Sequence, residues 1–250
     1  MKKNLYILLL LFLFLFLSSC AKKQNLSAID ISDEELYNKA YNFYEQKKWD
    51  KSVDLFQKYI FTYPATKRTE LAQYYLADSY YNKKSYTEAI VEFEYFIKNY
   101  KNYNLKKDAL YKLSISYYKI SPPYQFDQSL TFSAIGVMRE FLMEYYDDER
   151  KNEIDSLLNL LLSRIEEKKL HTGDFYYKGK KYKSAVIYYQ LVDDNNLKND
   201  LKDRYYFSYG RALFKNKDYQ KSLEILQKVS ENSKYYKESK KIIDKISKSL

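Results

Sequence analysis

The chain has one cysteine, one histidine, three prolines and four glycines in 250 residues, and each shortage removes a class of answers. With Cys20 alone, no intramolecular disulfide can form. His171 is the single histidine, so neither a thiolate nor a multi-histidine metal site can be assembled, and no metal or cofactor is expected. The glycines, Gly136, Gly173, Gly179 and Gly210, are too dispersed to build a phosphate-cradling loop. So few helix breakers, beside 46% hydrophobic and 30% charged residues, predict an almost wholly helical chain with a core and a solvated face. Carboxylates are plentiful but alternate with lysines along helix faces, so no catalytic residue is assigned. An enzyme working through converging surface carboxylates is the competing reading from another class.

What the chain has in excess is aromatic: 31 Tyr and 14 Phe. Such rings bury large areas, while the tyrosine hydroxyl keeps a polar tip for water or a ligand backbone. The formal charge of +10 is a mild excess for this length. Lysine pairs such as Lys47-Lys48, Lys83-Lys84 and Lys180-Lys181 read as solvated turns. Aromatics beside lysines also suit a base-stacking groove, but the amino terminus argues against a nucleic-acid partner.

That terminus has Lys2-Lys3, an apolar run from Leu5 to Leu17, and then Ser18-Ser19-Cys20. The run is shorter than the roughly 20 residues of a spanning helix and has the layout of a secretory signal. Leu17-Ser18-Ser19-Cys20 resembles the lipobox of bacterial lipoproteins, which implies that Cys20 is acylated and becomes the first mature residue. One acyl chain anchors marginally and two anchor stably. Ala21, where an aspartate would signal retention, implies sorting to the outer membrane.

From residue 32 the chain repeats. Ser32-Asp33-Glu34-Glu35 matches a capping box and opens the first helix. Small residues recur in first helices at Ala40, Ala77, Ser114, Gly173 and Gly210, and in second helices at Ser52, Ala89, Ala134, Ala185 and Ser222. Three residues before four of the latter stand Trp49, Tyr86, Tyr182 and Tyr219; four residues after each stand Phe56, Phe93, Met138, Tyr189 and Leu226, as packing positions. The pattern resembles tetratricopeptide repeats, with a period of 37 rather than the family's usual 34. It implies an all-α, right-handed superhelix of about five helix pairs. Two segments break the period: a proline insertion at Ser121-Pro122-Pro123-Tyr124, and an amphipathic run from Ile154 to Ile165 that reads as a long helix bracing two halves. The expected organisation is a signal peptide at 1–19, a tether at 20–31, repeats one to three at 32–146, and the long helix, repeats four and five and an amphipathic cap at 147–250.

Tyrosine pairs seven residues apart recur as Tyr37 and Tyr44, Tyr74 and Tyr81, and Tyr111 and Tyr118. Seven residues are about two helical turns, so each pair shares a helix face and stacked repeats arrange the rings in two rails. Tyr41, Asp78 and Ile115 lie between the rails, while Tyr177, Phe207 and Phe214 continue them into the second half. These tyrosines, with Tyr41, are the candidate peptide-binding residues; packing between neighbouring repeats is the alternative role for the same rings.

The lipobox, the repeat endings Tyr59-Ile60-Phe61-Thr62-Tyr63-Pro64 and Phe93-Glu94-Tyr95-Phe96-Ile97-Lys98-Asn99-Tyr100, the insertion running on into Gln125-Phe126-Asp127-Gln128, and the segment Gly173 to Tyr182 together resemble the BamD family of β-barrel assembly lipoproteins. Lys101 and Tyr146 depart from that pattern, replacing expected prolines. The resemblance implies a non-enzymatic adaptor, lipid-anchored at the periplasmic face of the outer membrane. In that family the first repeats receive unfolded outer-membrane proteins, and the last repeats dock on a BamA-like barrel-forming subunit. A generic repeat lipoprotein that scaffolds cell-wall hydrolases is the rival among binding proteins.

Overall fold

The computed structural model describes residues 31–248, so the signal-like segment, Cys20 and all of the tether but Ile31 lie outside the described residues. Within them the chain forms eleven helices and no strand. They are α1 Asp33–Glu45, α2 Trp49–Thr62, α3 Thr69–Asn82, α4 Tyr86–Asn99, α5 Tyr103–Ile120, α6 Ser129–Glu144, α7 Lys151–Lys178, α8 Tyr182–Gln190, α9 Asn199–Lys215, α10 Tyr219–Leu226 and α11 Tyr236–Ser247. None is long and apolar enough to cross a membrane.

The helices start and stop for local reasons. Ser32 caps α1, its Oγ accepting the Glu35 backbone N–H at 3.2 Å, and three acidic residues occupy the first turn, where they favour the helix dipole. Four of the five hairpins turn identically. Lys47, Lys84, Lys180 and Lys217 take positive φ of 56°, 67°, 57° and 67°, and the next residue donates its N–H back to the helix: Lys48 to Phe43, Ser85 to Tyr80, Lys181 to Tyr176 and Asp218 to Leu213. This is a Schellman ending with lysine at the left-handed position that glycine usually holds. The third hairpin, interrupted by Pro122 and Pro123, departs from it.

The packing positions bear out the repeat. All five second-helix small residues are buried, and so are Phe56, Phe93, Met138, Tyr189 and Leu226. Gly173 and Gly210 have a steric reason: a Cβ would lie 2.5 Å from the Tyr189 ring in one case and 2.5 Å from Leu226 Cγ in the other. First helices touch the first helices of neighbouring repeats, whereas no second helix among the described residues touches another. The first helices therefore lie on the inside of the curve, and their free faces form the inner wall.

One expectation needs correcting. The bracing helix and the first helix of repeat four are a single helix, α7, of 28 residues and about 42 Å. Its amino half, through Ile165, belongs to the core of repeats two and three, and from Leu170 it belongs to the core of repeats four and five. The brace is thus shared by both cores. Ile246 anchors the closing helix α11, the expected amphipathic cap.

Candidate functional site

The first rail is largely core. Tyr37 and Tyr74 are only 9% and 6% exposed. Tyr37 meets Phe56 and Tyr59 edge-on, Tyr74 meets Phe93 and Phe96, and Tyr111 tilts against Phe141, so each ring packs on its own repeat's second helix. The expectation that both rails present their rings to a ligand is corrected for Tyr37 and Tyr74. Seven-residue spacing places two rings on one face, but that face is broad enough for one of them to turn inward. Tyr111 is half-buried.

The second rail is half-buried and serves the hairpins. Tyr44 packs on Trp49, Tyr81 on Tyr86, Tyr177 on Tyr182 and Phe214 on Tyr219, with centroids between 5.4 and 6.0 Å apart. Each pair brackets one of the left-handed lysines, so rail ring, turn and second-helix aromatic form one recurring lock. Tyr118 has no such partner, because the insertion follows it. Tyr41 stacks between Tyr37 and Tyr44 and takes an edge contact from Tyr75.

Hydroxyls of these rings reach acids one repeat further on: Tyr44 donates to Asp78, Tyr74 to Asp108, and Tyr111 to Glu153 at 2.9 Å. Burial and then the neighbouring carboxylates push all three phenols well above their ordinary range, so they stay protonated donors. Lys112 Nζ bridges Asp78 at 2.6 Å and Asp108 at 2.8 Å. Arg150 pairs with Asp108 at 2.7 Å and Asp148 at 2.8 Å while lying over the Tyr111 ring at 4.4 Å. Burial opposes ionisation of Asp108, yet Lys112, Tyr74 and Arg150 outweigh it and hold the carboxyl below the usual range. The inner wall of the first three repeats is therefore a closed network. Its open elements are the half-buried Tyr41, Tyr44, Tyr81, Tyr111 and Tyr118.

The face between the rails is decisive in both halves. The residue after each first-helix small residue is Tyr41, Asp78, Ile115, Asp174 and Arg211 in turn. Asp174 accepts from Tyr189 at 2.6 Å and pairs with Arg204 of the next repeat. Lys112, Arg150, Arg204 and Arg211 were not singled out from sequence, where each resembles a solvated helix charge.

The insertion is held by α7. Arg164 donates to the Ser121 and Pro122 carbonyls at 3.2 and 3.1 Å, Lys168 to the Phe126 carbonyl at 2.6 Å, and His171 stacks on Tyr124 at 4.3 Å. Positions 164, 168 and 171 share one face of α7, so carbonyls that the prolines free from helix are satisfied by one stripe of the brace. Among the described residues no cluster is arranged to hold a metal ion.

This is a scaffold of stacked helix pairs with an aromatic, charge-laced inner wall. The chain belongs to the YfiO family of outer membrane lipoproteins, whose pattern it matches over residues 29–202. Solved structures similar to it include the yeast Sti1 TPR2AB domain in complex with HSP90, at 13% identity, TM-score 0.42 and coverage of 87% of this chain and 83% of that one. A TPR repeats protein of Bacteroides fragilis is similar at 14% identity and TM-score 0.41, covering 88% of this chain and 99% of that one. No curated protein matches the sequence.

Proposed function

We propose that the protein is a lipid-anchored periplasmic adaptor of outer-membrane protein assembly, receiving unfolded β-barrel clients on repeats one to three and docking through repeats four and five on the barrel-forming subunit. The observation that carries this reading is membership of the outer membrane lipoprotein family through the first four helix pairs, insertion included. The inner wall is compatible with it. Outer-membrane strands end in alternating aromatic residues, and an extended segment crossing the first helices meets the half-buried edges of Tyr41, Tyr44, Tyr81, Tyr111 and Tyr118. Tyr37 and Tyr74 act from beneath, by positioning those rings. Two or three aromatic anchors at about 2 kcal/mol each, less the cost of ordering the client, give binding on the order of micromolar. Affinity of that order suits a client that must move on.

Purification from membranes with the lipid anchor intact tests the assembly role: a large β-barrel protein should be recovered with the chain, whereas recovery with a peptidoglycan hydrolase instead would replace this reading with an envelope scaffold. A paired Tyr81→Ala and Tyr118→Ala variant should bind an aromatic-ended outer-membrane peptide roughly tenfold or more weakly at unchanged helicity. Equal affinity would remove the aromatic edges from the client site.

A further inference from the structure

Arg211 of α9 lies over two rings from adjacent repeats, with its guanidinium carbon 4.3 Å from the Tyr177 centroid and 5.1 Å from that of Phe207. Phe207 is itself backed by Tyr235, stacked at 5.2 Å. A guanidinium held by its faces is a planar fork whose N–H edges remain for an acceptor. Among the described residues nothing accepts from it, and its Nε is buried without a hydrogen-bond partner. A buried donor left unpaired costs free energy, so this arrangement is unfavourable unless something completes it.

The rest of the molecule shows what such a fork holds. Arg150 lies over Tyr111 in the same manner and carries two carboxylates, Asp108 and Asp148. At the position of Arg211, the second and fourth repeats have Asp78 and Asp174, each paired with a cation from the repeat that follows, Lys112 and Arg204. The fifth repeat inverts the sign, placing a cation where the earlier repeats place an acid. Among the described residues no acid is paired with it. In the 37-residue register α11 has Lys241 and Lys245 where the third repeat has Asp108 and Lys112, and Asp174, the acid one repeat back, is already held by Arg204 and Tyr189.

We infer that Arg211, clamped between Tyr177 and Phe207 on the inner wall of repeats four and five, is a binding position for a carboxylate on a polypeptide partner, one flanked by aromatic or large apolar residues that pack on the same rings. The position is separate from the tyrosine edges of the first half and does not depend on the assembly role proposed above. Its carboxylate comes either from an acidic side chain or from a chain terminus, and the two are separable by experiment.

The test uses the full chain in detergent and three short probes: acetyl-Phe-Glu-Phe-amide, acetyl-Phe-Gln-Phe-amide, and acetyl-Phe-Gln-Phe with a free carboxyl end. Titrations followed through the arginine Nε–H resonances should shift the Arg211 signal with one or both acids and leave it in place with the neutral amide. Calorimetry should show the acid binding about tenfold or more weakly to Arg211→Gln. Arg211→Lys keeps the charge but not the fork and should also lose affinity, with circular dichroism unchanged. Preference for the glutamate probe assigns a side-chain carboxylate, and preference for the free end assigns a terminus. Equal binding of acid and amide, wild-type affinity in both variants, or no shift with any probe at a concentration on the order of 10 mM would overturn the inference.

Discussion

Arg150 and Arg211 make a natural comparison, because the two halves of the molecule use the same device and finish it differently. Both guanidiniums lie over aromatic rings on the inner wall. In the first half the fork is closed by Asp108 and Asp148, and the same network runs through Lys112 to Asp78 and the hydroxyls of Tyr44 and Tyr74. In the second half Arg204 and Asp174 close one pair and the next cation is left open. The difference leaves the wall of repeats one to three internally paired, and that of repeats four and five with one guanidinium unpaired among the described residues.

The largest expected effect separates matched from unmatched charge. Asp78 is almost wholly buried, with Lys112 as its ion-pair partner and the Tyr44 hydroxyl as a donor, so Lys112→Ala leaves a buried carboxylate without an opposing charge. Such losses cost about 3 to 5 kcal/mol. Arg211→Gln removes a guanidinium that no acid among the described residues pairs with and should cost less than about 1 kcal/mol, from lost stacking. Urea denaturation of both variants compares the two directly, and equal destabilisation would abolish the distinction between the halves.

Much of this architecture was legible in residue spacing. The small residues, the large residue four positions on, and the aromatic at the start of each second helix locate the helix pairs, because close helix crossings tolerate only certain volumes and those volumes recur with the period. What spacing does not carry is the rotation of a helix about its own axis. Tyr37 and Tyr44 share a face, but whether that face meets the second helix or the open wall depends on the crossing geometry, and Tyr37 turned inward. Gly173 looked like the middle of a separate helix, yet nothing between Leu158 and Leu170 breaks the helix, so brace and repeat fused. The ion network was invisible for another reason: the bonds that join its repeats link residues 30 to 42 positions apart, Asp78 with Lys112, Asp174 with Arg204 and Asp108 with Arg150, and a helix-surface lysine or arginine looks the same whether its distant acid is present or not.

A smaller effect tests whether the halves differ only on the inner wall. The left-handed turns are alike in both, at Lys47 and Lys84 in one and Lys180 and Lys217 in the other. A side chain at positive φ is strained by about 1 to 2 kcal/mol, partly offset by the flexibility that glycine brings to the unfolded chain. Lys84→Gly and Lys180→Gly should each stabilise by about 0.5 to 1 kcal/mol, seen as a raised thermal midpoint. Equal gains would place the asymmetry in the wall charges; a gain confined to one half would place it in the hairpins.

The mildest perturbation is pH, and it should loosen the two halves in different windows. At the insertion, His171 is stacked on Tyr124 and approached by Arg204 from α9, with Glu167 at 3.7 Å and Asp174 and Lys178 also on its own helix. Burial, then Arg204, lowers its pKa in the folded state. The unfolded chain, with a histidine pKa near about 6.5, then binds more protons than the folded one. The stability this group contributes is complete above that value and declines as pH falls toward the folded-state value. In the first half Asp148 is held below the usual carboxylate range by hydrogen bonds from Arg150 against the opposing effect of burial, and Asp108 is lowered too. Their contribution is present above the unfolded carboxylate pKa of about 3.9 and is lost only as pH falls below it through the folded values. Hydrogen exchange, corrected for its intrinsic pH dependence, should therefore show protection falling first in the insertion and the adjoining turns of α7 and α9 below about pH 6.5, while α3 and α5 hold until below about pH 4. His171→Asn should erase the earlier loss and leave the later one. Simultaneous loosening of both regions would mean that α7 transmits the histidine's charge along its whole length, and that the two halves answer to acid as one body.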